Sequence, residues 1–108
     1  MEANEAGAIL SATQELLREL MERNGLTPED LVSCIFTCTA DLDAEFPAVA
    51  AREIGLSAVP LLCAREIEVP GSLPRVIRLM VHCYADAAPR HVYLREAESL
   101  RRDLEGAQ

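Results

Sequence analysis

Two charged residues stand where apolar ones are expected. Arg78 interrupts the run Val76-Ile77-Arg78-Leu79-Met80-Val81, and Glu66 lies in Leu61-Leu62-Cys63-Ala64-Arg65-Glu66-Ile67. A charge inside an apolar strand is costly unless it meets a partner or a ligand. Two readings stay open: an internal Arg78–Glu66 salt bridge, or a polar pocket that takes an anionic ligand. All ten basic residues are Arg, with no Lys, so any anion site must use planar guanidinium forks, which suit carboxylates.

Other chemistry is thinly represented. There is no Gly-rich phosphate loop, no GxSxG and no HExxH. His82 and His91 have no obvious partner and read as structural. Cys34 and Cys38 are four apart in a strand-like run, which places them roughly 13 Å apart at ~3.3 Å per residue. That is too far for a disulfide or a shared zinc. The thiols read as buried apolar groups; Cys63 alone is kept open for a role in a site.

The elements that must position these residues follow from periodicity. Residues 4–24 read as an amphipathic helix, with Ile9, Thr13, Leu16, Leu17, Leu20 and Met21 on one face and Gly25 as its stop. Thr27-Pro28-Glu29-Asp30 reads as a capped short turn of helix. Residues 32–39 form the clearest strand: Val32, Cys34, Phe36 and Cys38 share one face, and Ser33, Ile35, Thr37 and Thr39 the other. A short helix spans residues 47–54 and closes at Gly55. Further strands are expected over residues 59–67, 76–84 and 91–94. Residues 98–108 read as a charged tail that is partly helical or mobile. Helices and strands do not alternate strictly, so the class is α+β, a small mixed sheet packed with helices.

The bulk numbers bound the partners. A chain of 108 residues, half apolar and 26% charged, suits one domain over residues 1–108. Its net charge of −8 argues against nucleic acid, which needs a basic face, and against an anionic membrane surface. No apolar run approaches the ~20 residues of a membrane span, and the N-terminus lacks a basic signal-peptide start. A cytoplasmic location is expected.

Four segments then point to a family. They are Thr39-Ala40-Asp41-Leu42-Asp43-Ala44-Glu45-Phe46-Pro47-Ala48, Val59-Pro60-Leu61-Leu62-Cys63-Ala64-Arg65-Glu66, Gly71-Ser72-Leu73-Pro74-Arg75-Val76-Ile77-Arg78 and Arg90-His91-Val92-Tyr93-Leu94-Arg95-Glu96-Ala97. In that order they resemble the small monofunctional chorismate mutases of the trimeric pseudo-α/β-barrel type, the AroH class. The resemblance implies a Claisen rearrangement of chorismate to prephenate, towards Phe and Tyr, with no cofactor and no metal. Such a reaction needs the substrate held folded and negative charge stabilised on the breaking ether oxygen. By the resemblance, Arg78 faces that oxygen and Glu66 accepts a hydrogen bond from the ring hydroxyl, with Cys63 near the same end. Tyr93 bonds a substrate carboxylate, and Phe46 and Ala48 line an apolar wall. Arg52 sits at the mouth near the ring carboxylate. Leu100 and Arg101 belong to a tail that closes over the site. The sites are implied to lie between subunits of a homotrimer. Strict alternation puts Cys63 and Glu66 on opposite faces, so both reach one pocket only through a bulge or by serving different sites of the trimer.

The sequence also departs from the family pattern. The family has a strand before the first helix, carrying an arginine that pairs with a substrate carboxylate, whereas here the chain begins almost at the helix. The loop over residues 84–89 is a few residues short, and position 49 is Val where a basic residue can occur. A misplaced start site or a trimmed chain is the expected reason for the missing strand. Two alternatives to the enzyme are an impaired relative that binds a small dicarboxylate or regulates a pathway partner, and a trimeric enamine deaminase of similar shape.

Overall fold

The computed structural model describes residues 3–95. The order is α1 (Ala6–Asn24), a 3-10 turn (Pro28–Asp30), β1 (Leu31–Cys38), α2 (Pro47–Glu53), β2 (Leu61–Arg65) and β3 (Ile77–Cys83). The long first helix buries Ile9, Thr13 and Leu17, a stripe with the four-residue spacing of one helix face. The Thr13 hydroxyl donates to the Ile9 carbonyl at 2.7 Å, which satisfies the one polar side chain on that stripe. Gly25 ends the helix in the left-handed region, φ 61°, a conformation that costs a residue without Cβ little. Thr27 and Asp30 then form a capping box over Pro28.

The sheet has three strands in the order β2-β1-β3. β1 runs parallel to β2, across the α2 crossover, and antiparallel to β3. Cys34 and Phe36 of β1 are fully buried with Leu17, Ala48, Ala51, Leu56 and Val59, while Leu61, Cys63, Leu79 and Val81 of the flanking strands pack against them. Both helices therefore cover one face of the sheet. In α2, Ala48, Ala50 and Ala51 are buried, and their small side chains let its backbone approach the sheet closely.

Two expectations change. Val32 does not share the buried face with Cys34 and Phe36. An irregularity in the β1–β3 register between Leu31 and Ser33 turns Leu31 inward and leaves Val32 46% exposed; one extra residue in a ladder reverses the side-chain sequence locally. Residues 91–94 are not a strand. The Asn24 side chain takes the backbone of Arg90 instead, with Arg90 N donating to Oδ1 at 2.7 Å and Nδ2 donating to the Arg90 carbonyl at 3.0 Å. Arg95 pairs with Glu15 at 2.8 Å. The segment is thus held against α1, not against a sheet edge.

Candidate active site

The second face of the sheet has no helix on it among the described residues. The register sets Ile35 of β1 between Leu62 and Met80, and Thr37 between Ala64 and Arg78. Glu66, one residue beyond β2, continues the ladder by donating its N–H to the Cys38 carbonyl at 2.9 Å. Alternation puts its side chain on the same open face. There the Arg78 Nε donates to Glu66 Oε2 at 2.9 Å, and the Thr37 hydroxyl donates to that same oxygen.

The salt bridge left open by the sequence is therefore present, but it is not buried. The Arg78 side chain is 66% exposed and that of Glu66 21%. An ion pair this open contributes about 0–1 kcal/mol to folding, so holding the fold together does not explain it. The pair uses Nε, and the Nη groups of Arg78 have no hydrogen-bond partner among the described residues.

Arg78 also borders a cleft of about 1010 Å³ that Tyr93 lines from the segment held by Asn24. Leu16 and Leu20 of α1 form part of its apolar wall, and His82 and His91 reach it too. His82 has a partner after all, sharing a 3.2 Å hydrogen bond with Ser33 Oγ.

The remaining sequence candidates lie elsewhere in the chain. Cys63 faces the core side and packs against the buried cluster, so strict alternation holds and Cys63 does not share a face with Glu66. Ala48 is buried in α2. Phe46, at the N-cap of α2, is 66% exposed, and Arg52 is exposed in the last turn of that helix. None of these four borders the Arg78–Tyr93 cleft. Leu100 and Arg101 lie outside the described residues.

Sequence reasoning did not pick out Thr37 or a second cluster at the entry to β3. Asp41 accepts the Arg75 N–H on both carboxylate oxygens, at 3.1 and 3.0 Å, and the Thr39 hydroxyl at 2.5 Å. Thr39 Oγ1 in turn accepts the Val76 N–H at 3.0 Å. Arg75 has a φ of 49°, a conformation rare for a side chain with Cβ. The latch holds this bend three residues before Arg78. The hydroxyl of Thr39, followed by the Arg75 N–H, holds the Asp41 carboxyl below its ordinary value. Burial pushes the Cys38 thiol up, with Cys63 adding to it, and burial does the same to Cys34.

A mixed sheet with helices on one face and an arginine–glutamate pair on the other is the expected α+β architecture, and comparison with known proteins assigns it. The family model of type I chorismate mutase matches residues 1–104, and the chain belongs to that family. It is 56% identical to the chorismate mutase AroH of Thermus thermophilus over 105 residues, which cover 94% of this chain and 86% of that protein. It is 42% identical to the chorismate mutase AroH of Bacillus subtilis over 100 residues, 89% of this chain and 79% of that one. Among solved structures it superposes on the chorismate mutase from Clostridium thermocellum with a TM-score of 0.89 at 48% identity, covering 91% and 90% of the two chains. The resemblance read from the four segments is borne out, and with it the assignment as an isomerase of the chorismate mutase type.

Proposed function

We propose that this chorismate mutase converts chorismate to prephenate with Arg78 and Glu66 as its catalytic residues. The reaction is internal to the substrate. The ether C–O bond breaks as a C–C bond forms, and negative charge grows on the ether oxygen without any proton transfer. The observation that carries the reading is the Nε-bonded Arg78. Glu66 fixes the guanidinium by one edge, so its Nη groups are available to donate to the ether oxygen. A donor held in place before charge develops needs no reorganisation when it does. The second oxygen of Glu66 accepts the ring hydroxyl, and Tyr93 binds a carboxylate from the cleft side.

The assembly belongs to the same proposal. The open face carries Leu62 and Met80, 59% and 60% exposed, beside the half-buried Ile35, and an apolar stripe of this kind suits a subunit contact. Phe46, Ala48, Arg52 and Cys63 lie away from the Arg78–Tyr93 cleft in one chain, so they serve a site only if a neighbour completes it. A homotrimer with interfacial sites, closed by Leu100 and Arg101, meets both points. A cytoplasmic location fits as well. No described helix is long and apolar enough to cross a membrane, and all four cysteines are free.

The test is prephenate formation from chorismate by the parent and by Arg78→citrulline, with the mass of the assembly measured by light scattering. Parent turnover that collapses in the variant, from an assembly of three chains, is the expected result. A variant that turns over at the parent rate sinks the catalytic assignment, and a stable monomer at micromolar concentration sinks the interfacial site.

A further inference from the structure

Thr37 sits at the middle of the three-stranded ladder, between Ala64 on β2 and Arg78 on β3. Its hydroxyl and the Arg78 Nε converge on one oxygen, Glu66 Oε2. Glu66 Oε1 has no hydrogen-bond partner among the described residues. One donor alone lets a carboxylate swing about its last bonds. Two donors on one oxygen, reaching it from different strands, define where the other oxygen points. Threonine suits this task because its branched Cβ restricts χ1 on a strand, and its hydroxyl supplies a proton that valine of nearly the same shape lacks.

We propose that Thr37 is a positioning residue for the rearrangement. It holds Glu66 Oε2, so that Oε1 is presented to the substrate hydroxyl and the guanidinium of Arg78 is held in the geometry the reaction uses. The proposal rests on the reading of Glu66 and Arg78 given above. Thr37 acts through Glu66, to which its hydroxyl donates, and its contribution disappears when that carboxylate is gone.

A double-mutant cycle tests this on the full chain, with chorismate turnover and melting temperature measured for each protein. Thr37→Val lowers kcat roughly tenfold, as expected for one hydrogen bond to a charged group, with KM changed much less and the melting temperature kept. Thr37→Ser restores most of the rate. In the Glu66→Gln background, Thr37→Val costs little further. Should the valine variant fail to fold, Thr37→Ala carries the same comparison. Parent kcat in the hydroxyl-free variant, or an equal loss in both backgrounds, overturns the role of Thr37 while leaving Glu66 and Arg78 in place. Glu66→Gln at the parent rate overturns the active-site reading and the Thr37 proposal together.

Discussion

On β1, Cys34 and Phe36 point one way, and Ile35 and Thr37 the other. The first pair meets both helices and is closed off from water. The second meets Leu62, Met80, Ala64 and Arg78, with no helix over it among the described residues. One strand thus serves two purposes by alternation alone. The inner face is apolar and tightly packed, so it sets whether the domain folds. The open face combines apolar residues with a polar triplet, Thr37, Glu66 and Arg78, and has little to do with holding the chain together. If Arg78 and Glu66 act as proposed, stability and chemistry are separated by the thickness of a sheet, and mutations on the two sides should fail in different ways.

The largest effect is expected on the inner side. Phe36 is 0% exposed, and Phe36→Ala leaves a cavity that typically costs about 3–5 kcal/mol. In a domain of this size, that is a large fraction of the total stability. Urea denaturation should show most of the folded population lost. Activity per folded molecule should stay near the parent. A variant that remains stable yet inactive would erase the division between the faces.

Arg78 is the mirror case. Removing an electrostatic donor aimed at developing charge costs about 10²–10³ in rate. Arg78→citrulline keeps the shape and loses the charge, and Arg78→Lys keeps the charge and loses the fork. Both should turn over slowly at an unchanged melting temperature, because the side chain is largely exposed and its ion pair weak. Joint loss of folding and turnover would instead make Arg78 a structural residue.

Much of the inner face was legible in the sequence, and little of the outer site was. The four-residue spacing of Ile9, Thr13 and Leu17, the stop at Gly25 and the alternation of Cys34 and Phe36 are local signals, each decided within a few neighbours. Val32 escaped because a bulge depends on the partner strand. Residues 91–94 have a strand-like composition, but the flanking Arg90 and Arg95 are tied to Asn24 and Glu15 of α1, and composition does not say which partner a segment finds. The Thr37–Glu66 contact joins residues 29 apart, and it exists only in one register of β1 against β2. The four family segments named Arg78, Glu66 and Tyr93 without that register, whereas Thr37 lies in none of them and went unnoticed.

The clamp on Arg90 offers a smaller test of what shapes the cleft side. Asn24→Ala removes both hydrogen bonds to the Arg90 backbone, at a cost of about 1 kcal/mol or somewhat more. Amide exchange at Arg90 should quicken while β1 amides stay protected, since the core does not rest on this contact. Binding of a substrate analogue should weaken through the freed Tyr93 segment. Unchanged exchange at Arg90 would show that something else holds the segment.

The smallest effect concerns the latch at Asp41, which lies near the open face and touches stability alone. Its carboxyl is held below the ordinary value of 3.8, chiefly by the Thr39 hydroxyl and then by the Arg75 N–H. A group whose folded value is depressed stabilises the fold above its unfolded value, and loses that contribution as pH falls through the folded one. Asp41→Asn keeps an oxygen for the Arg75 N–H but carries no charge. The parent should therefore melt slightly above the variant at neutral pH, by a constant margin down to about pH 5. Below 3.8 the margin should shrink as Asp41 takes up its proton, until the two melting curves meet. The exposure of the carboxylate keeps the whole difference small, because solvent screens the charge. Calorimetry across this range decides it: an offset that persists unchanged into strong acid would mean that ionised Asp41 contributes nothing to the bend before Arg78.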